Sequence, residues 1–190
     1  ARARKAPTDL ALVTNEPLFR GKEAGLWASL NPANMDTAGL KDGYVKMDGD
    51  SAYAVGALAF YTTFVTNTEY DAAAPASWAD MWEDKWDGKL GIATSPNSGL
   101  LEVTAKTFFG GYEIMETREG LEQVIAKIAE LKPQVKLWYR DEGQFQQELE
   151  AGGLNAGLYY HDVAMLSIWD GKPIASTFPK EGGIVSDAWW

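Results

Sequence analysis

Short apolar runs alternate with stripes of helical spacing along most of this chain. Leu10-Ala-Leu-Val-Thr14, opened by Asp9, predicts a buried strand. Asn15-Glu16-Pro17 follows as a polar cap with Pro in the first helical turn. The helix it opens carries Leu18, Phe19, Gly21, Lys22 and Leu26, and Asn31-Pro32 stops it. Residues 31–51, rich in Gly, Asp and Asn, predict a loop. From Ala52 to Thr66 small, aromatic and β-branched residues dominate, which predicts one or two buried strands.

Beyond the loop Asp71-Ala-Ala-Ala-Pro75, Ser77 is a good N-cap for a short helix holding Trp78, Met81 and Trp82. Asp87-Gly88 turns into a strand, Lys89–Ala93, and the polar loop Thr94–Gly99 opens a helix over Leu100–Phe109. Apolar residues at 121, 124, 125, 128 and 131 mark a helix over Glu119–Leu131, which Pro133 ends. A strand Val135–Tyr139, a helix Gln144–Ala151, a strand Ala156–Tyr160 and a helix Asp162–Asp170 come next. Ile174–Phe178 predicts another strand, and Glu181-Gly-Gly183 turns into a last one.

Strands alternating with helices through residues 89–178 predict an α/β layer with a largely parallel sheet. There is no internal repeat and no low-complexity tract. Ligands of open α/β sheets sit beyond the carboxyl ends of the strands. Those ends are Thr94–Ser98, Tyr139–Glu142 and Tyr159–Asp162, which makes these three loops the candidate site.

Composition narrows the chemistry. The 190 residues are 46% hydrophobic and 23% charged, which is globular and argues against wholesale disorder. The net charge is −10 and the basic residues cluster only at Arg2-Arg4-Lys5, so no nucleic-acid partner is expected. Without Cys and with His161 as the single His, there is no disulfide framework, no Cys or multi-His zinc site and no thiol nucleophile. No apolar run is long enough for a membrane span, and no apolar h-region precedes Thr8, as expected of a mature protein or a fragment of one. Eight Trp, eight Tyr and seven Phe exceed what a core alone needs and suit a site that sandwiches a small organic ligand.

Three constellations carry candidate chemistry, each beside a plainer structural role. Ser95, Asn97 and Ser98 stand at a helix N-terminus, where hydroxyls and free N–H groups cradle an anion; Ser98 or Asn97 serves equally as a simple cap. Arg140 ends a strand and offers a planar fork to a carboxylate or phosphate; it serves equally as a surface partner of Asp141 or Glu142. Tyr159, Tyr160 and Asp162 suit an ammonium group held by a carboxylate and by ring faces. Two adjacent tyrosinates also suit ferric ion, and Asp162 also suits the N-cap of its helix. Catalysis has little support, since the Gly-x-Ser-x-Gly elbow and the Gly-Lys-Ser/Thr phosphate loop are both missing. Carboxylate pairs among Asp80, Glu83, Asp84, Asp141 and Glu142 lie in charge-rich stretches, and Asp48-Gly-Asp50 lacks the sixth-position Gly of a calcium loop.

Ala76-Ser-Trp-Ala-Asp-Met-Trp82, then Trp86-Asp-Gly-Lys-Leu-Gly-Ile92, then Phe178-Pro-Lys-Glu-Gly-Gly-Ile184 resemble the spermidine/putrescine-type solute-binding proteins of ABC importers. The resemblance implies a two-lobed, periplasmic-binding-protein-like (type II) α/β fold. Residues 1–53 would belong to the first lobe, 54–181 would form the second, and 182–190 would return through the hinge. It implies a monomeric periplasmic receptor with no enzymatic activity and no cofactor, which hands a small molecule to a membrane permease. Where the polyamine branch places carboxylates after the Gly-Lys-Leu strand, this chain has Ser95 and Ser98. The return segment reads Val185-Ser-Asp187-Ala-Trp-Trp190, which adds Trp189 as a candidate contact. An anion-friendly end (Ser95, Ser98, Arg140) and a cation-friendly end (Asp162, Tyr159, Tyr160) describe a zwitterion, as in the similar γ-aminobutyrate branch. Polyamine and ferric-ion receptors of the same fold are the alternatives, and a carboxylate-pair hydrolase is the alternative of another class.

Overall fold

The computed structural model describes residues 8–71, 73–95 and 98–190. In chain order its regular elements are β1 (Val13–Thr14), α1 (Asn15–Glu23), β2 (Val45–Asp48), β3 (Ser51–Asn67), β4 (Leu90–Ala93), α2 (Leu100–Phe108), α3 (Arg118–Ala129), β5 (Val135–Tyr139), α4 (Glu142–Glu150), β6 (Ala156–Tyr160), α5 (His161–Trp169), β7 (Ile174–Thr177) and β8 (Ile184–Trp189), with short 3-10 turns between. Contacts divide the chain into a smaller unit, reaching to Ala59 and including Ser186–Trp190, and a larger unit, Phe60–Val185.

The smaller unit packs α1 onto strands through Leu18, Ala54 and Trp189, with Val13, Trp27 and Tyr53 around them. The buried strand expected over Leu10–Thr14 shrinks to two residues. Only Val13 and Thr14 find partners on β8, while Leu10 and Leu12 are 60% and 46% exposed. Helix α1 ends at Glu23 and excludes Leu26, because the chain reverses at Gly25 (φ +64°) and Trp27 folds back to donate to the Leu18 carbonyl at 2.7 Å. The loop expected over 31–51 contains β2, which forms a hairpin with β3 across Gly49-Asp50. Gly49 at φ +60° supplies the left-handed turn that such a tight connection needs.

In the larger unit the strands run in the order β7-β3-β6-β4-β5. Strands β4, β5 and β6 are parallel, as the βα alternation predicts, whereas β3 lies antiparallel between β6 and β7. Successive strand residues face opposite sides, and both faces are covered. Phe64 and Leu158 join Trp78, Met81, Trp86, Leu90, Ile92, Val103 and Leu131 in one core. Their neighbours Val65 and Tyr159 join Tyr139, Phe145, Leu149, Leu154, Ala164 and Ile174 in another. Each such large side chain contributes about 1.5–3 kcal/mol on burial.

The two sequence blocks furthest apart in this unit are clasped together. Lys180 N donates to the Ala76 carbonyl at 2.9 Å, and the Trp78 indole donates to the Gly182 carbonyl at 2.9 Å. Ser77 Oγ and Trp78 N donate to the two carboxylate oxygens of Glu181. Ser77 also caps the short turn Trp78–Trp82, as its sequence position predicts.

Burial raises the Glu181 carboxyl pKa, but the bonds from Ser77 and Trp78 and the nearby Lys180 outweigh it and hold the group below its ordinary range. A carboxylate held low in the folded state adds stability above its unfolded pKa and loses it as pH falls through the folded value. Glu181→Ala should therefore cost roughly 2–3 kcal/mol in urea unfolding near neutral pH. The difference from wild type should shrink in acid, and a loss below about 0.5 kcal/mol would show the clasp to be dispensable.

Candidate functional site

Because β6, β4 and β5 are parallel neighbours, their carboxyl ends share one edge of the sheet. Thr94–Ser95, Arg140 and His161–Asp162 follow those three ends directly. Thr94 ties the first two together, its N–H and Oγ1 both donating to the Tyr139 carbonyl at 2.9 and 3.2 Å.

Arg140 is exposed, and among the described residues it forms no ion pair. Asp141, one of its expected surface partners, caps α4 instead, its Oδ1 accepting from Gln144 N at 3.0 Å. The other, Glu142, turns towards the tyrosines and Asp162: burial first, then Asp162 and then Asp141 push its carboxyl pKa up. Asp162 is exposed in the first turn of α5 and does not cap it. Tyr160 occupies that position, and no side-chain bond is made there.

Aromatic rings hold these loops in place. Phe145 of α4 stacks between Tyr139 and Tyr159, with centroids 4.9 and 4.7 Å away. The ring occupies the space left by Gly91 and Gly157, where an added Cβ would come within 2.6 and 2.7 Å of it. Tyr139 donates to the Leu158 carbonyl at 2.8 Å, and Tyr159 donates to the Glu142 carbonyl at 3.3 Å. Burial, then Glu142 and other neighbours, push the Tyr159 phenol far up, and burial with Glu142 and Asp162 raises that of Tyr160. Both phenols are therefore protonated donors in this setting. Tyr160 stands edge-on to Phe60 at 5.2 Å. His161, read as a loop residue, starts α5, hydrogen-bonds to Ser176 Oγ at 3.0 Å through Nδ1 and packs against Phe178.

The remaining candidates are placed less directly. Ser95 is exposed after β4. Ser98 is buried, and its Oγ accepts from Leu100 N at 3.4 Å, so this hydroxyl serves α2; Gly99, at φ +84°, takes the N-cap position. Asn97 lies outside the described residues. Trp189 belongs to the smaller unit, buried with its indole donating to Asn15 Oδ1 at 2.6 Å. Among the described residues no cluster of three His, Cys, Asp or Glu side chains is suited to a metal ion. The residue that sequence reasoning undervalued is Glu142, considered only as a surface partner or a hydrolase carboxylate. Its signal was position, in the first helical turn after a strand end, two residues beyond Arg140.

Glu142 yields a direct test. A carboxyl held above its ordinary range binds its proton more tightly in the folded state, so ionising it opposes folding as pH rises. Glu142→Gln should therefore leave the unfolding midpoint unchanged or raised near neutral pH. In Asp162→Asn, the Glu142 carboxyl should titrate at lower pH by carbon-13 NMR, although burial keeps it above the ordinary value. An unmoved titration would separate the two groups.

The comparisons with known proteins place the chain in a family. Over 190 aligned residues the chain is 28% identical to the gamma-aminobutyric acid-binding protein of Pseudomonas aeruginosa, covering 97% of this chain and 49% of that one. It is 25% identical over 120 residues to the spermidine/putrescine-binding periplasmic protein of Escherichia coli, covering 63% of this chain and 33% of that one. The crystal structure of the periplasmic binding protein MotA from A. tumefaciens, in complex with glucopine, superposes with a TM-score of 0.78 at 26% identity, over 94% of this chain and 55% of that one. The chain thus spans about half the length of the first of these relatives, and its α/β architecture is that of type II periplasmic binding proteins. The family described as bacterial extracellular solute-binding protein matches residues 1–190, and the chain belongs to that family, one of binding proteins and not of enzymes.

Proposed function

We propose that this chain supplies the ligand-gripping lobe of an extracytoplasmic receptor for a small ω-amino acid, of which γ-aminobutyrate is the type. The observation that carries the reading is that Arg140 follows the end of one strand of a parallel set and Asp162, with Glu142 near it, follows the end of another. Those ends are two strand positions apart, about 10 Å. A ligand that reaches both ends carries separated charges of opposite sign, an anion for the Arg140 guanidinium and a cation for the Asp162 carboxylate. The relative that carries the name of a gamma-aminobutyric acid-binding protein supports the same class.

Charge discriminates among the alternatives. A diamine would set its second ammonium against Arg140, and an unpaired buried charge is costly. Glu142 favours polyamine as the second reading, since it adds a carboxylate beside Asp162. Ferric ion finds less support. The Tyr159 hydroxyl is already donating to a carbonyl, and burial and nearby carboxylates disfavour both tyrosinates. A carboxylate-pair hydrolase has the family against it.

The mechanism is capture and delivery without covalent chemistry. In this receptor residues 54–181 act as the second lobe and 182–190 as the hinge return, with residues 1–53 in the first. The ligand favours the closed state by the difference in its affinity for closed and open forms. The closed, monomeric receptor then presents its cargo to a membrane permease.

Titration calorimetry on the receptor that carries this chain tests the reading. Arg140→Ala should weaken γ-aminobutyrate by about 2–5 kcal/mol, roughly thirtyfold to several-thousandfold, and leave putrescine unharmed. Asp162→Asn should weaken both ligands, because both present an ammonium group. An Arg140→Ala affinity within about twofold of wild type, ~0.4 kcal/mol, would make Arg140 an ordinary surface residue. Added ferric iron should give no citrate-sensitive tyrosinate charge-transfer band; a clear band would replace the amino acid with iron.

A further inference from the structure

Tyr159 lies at the candidate site, yet it is 3% exposed and its hydroxyl is committed to the backbone carbonyl of Glu142 at 3.3 Å. A group so placed offers little surface to a ligand. It joins two pieces of chain that carry the two charged ends of the site. Tyr159 belongs to β6, three residues before Asp162, and Glu142 opens α4, two residues after Arg140. Between these pieces runs β4, whose Gly91 brings no side chain to the gap. Phe145 fills that gap and stacks on Tyr159 at 4.7 Å.

We propose that Tyr159 is a positioning residue that fixes the distance between the Arg140 loop and the Asp162 helix, and so sets the length of ligand the site accepts. The inference rests on the ω-amino acid reading above and deepens it. The ring is held by Phe145 from one side, and Tyr160 stands at 5.8 Å. The hydroxyl ties the first turn of α4 through the carbonyl of Glu142, which has two lone pairs and so room for a second donor. With the tie in place, ligands one methylene too short or too long must strain the grip at one end. With the tie removed, the α4 turn can shift to meet them, and discrimination by length falls before overall affinity collapses.

Tyr159→Phe removes the hydroxyl and keeps the ring. Affinities for β-alanine, γ-aminobutyrate and δ-aminovalerate are measured by calorimetry in wild type and variant. Amide hydrogen exchange is followed at Gln144 and Phe145, whose N–H groups bond to Asp141 at the start of α4. The preferred acid should bind about threefold to tenfold more weakly in the variant, and its advantage over its two homologues should shrink at least about threefold. Exchange at Gln144 and Phe145 should quicken. A purely structural role would lower the unfolding midpoint and leave the ratio between homologues unchanged, so a ratio within about twofold of wild type overturns the proposal. If wild type binds none of the three acids, the ligand reading itself fails. The exchange data then decide the tether alone, and unchanged rates at Gln144 and Phe145 overturn it.

Discussion

Everything at the sheet edge depends on Phe145 lying where residues 91 and 157 have no side chains. The ring brings α4 down onto neighbouring parallel strands, closer than any Cβ at either position would permit. From there it meets Tyr139 on one side and Tyr159 on the other. Each of those tyrosines then reaches with its hydroxyl for a backbone carbonyl on a different element. The result is a rigid base under three loops that would otherwise be independently mobile. Rigidity matters because a ligand gripped at both ends can be selected by length only if the ends are held at a fixed distance.

That base is one of two cores, and the alternation of β-strand side chains keeps them separate. Phe64 and Leu158 serve the core that Trp78 and Trp86 dominate, while Val65 and Tyr159 serve the core beneath the site. The first core is also where the clasp at Glu181 secures the return segment to Ser77 and Trp78. The first and last of the three sequence blocks that carry the family resemblance are thus in contact, and for a reason. The end of the larger unit returns beside Ser77 and Trp78, and the clasp holds it there with a half-buried carboxylate that two donors and a lysine keep ionised.

The sequence reveals this arrangement unevenly. The βα alternation over residues 89–178 shows directly because its strands and helices carry clear periods, and Ser77 caps the turn before them where its position predicts. Hairpin β2–β3 was hidden, since Val45–Asp48 is short and sits among turn-forming residues whose local preference dominates any pattern reading. The antiparallel course of β3 was also hidden, because strand direction is decided by long-range pairing and leaves no periodic trace. At the site, position after a strand end identified Arg140, Ser95 and Asp162. It could not distinguish Tyr159, turned inward to a carbonyl, from Tyr160 beside it, nor reveal that Asp141 is spent on a helix cap while Glu142 is not. Trp189 was drawn in by the resemblance of the return segment, and it packs with Leu18 and Ala54 in the smaller unit.

The charge balance of the site follows from those placements. Asp141 accepts from the α4 amide it caps, which leaves Glu142 and Asp162 as the carboxylates near the tyrosines. Burial, then the neighbouring charges of Asp162 and Asp141, makes Glu142 costly to ionise beside Asp162. An ammonium group entering between them relieves that cost. Relief of existing repulsion adds to the ordinary attraction of an ion pair, which is how a small site gains affinity without more contacts. The phenols of Tyr159 and Tyr160, kept protonated by burial and by the nearby carboxylates, add no competing negative charge. Arg140, standing without an ion-pair partner among the described residues, completes the polarity from the other end. A ligand with one charge of each sign satisfies both ends at once, whereas a dication leaves Arg140 opposed and a dianion leaves the two carboxylates opposed.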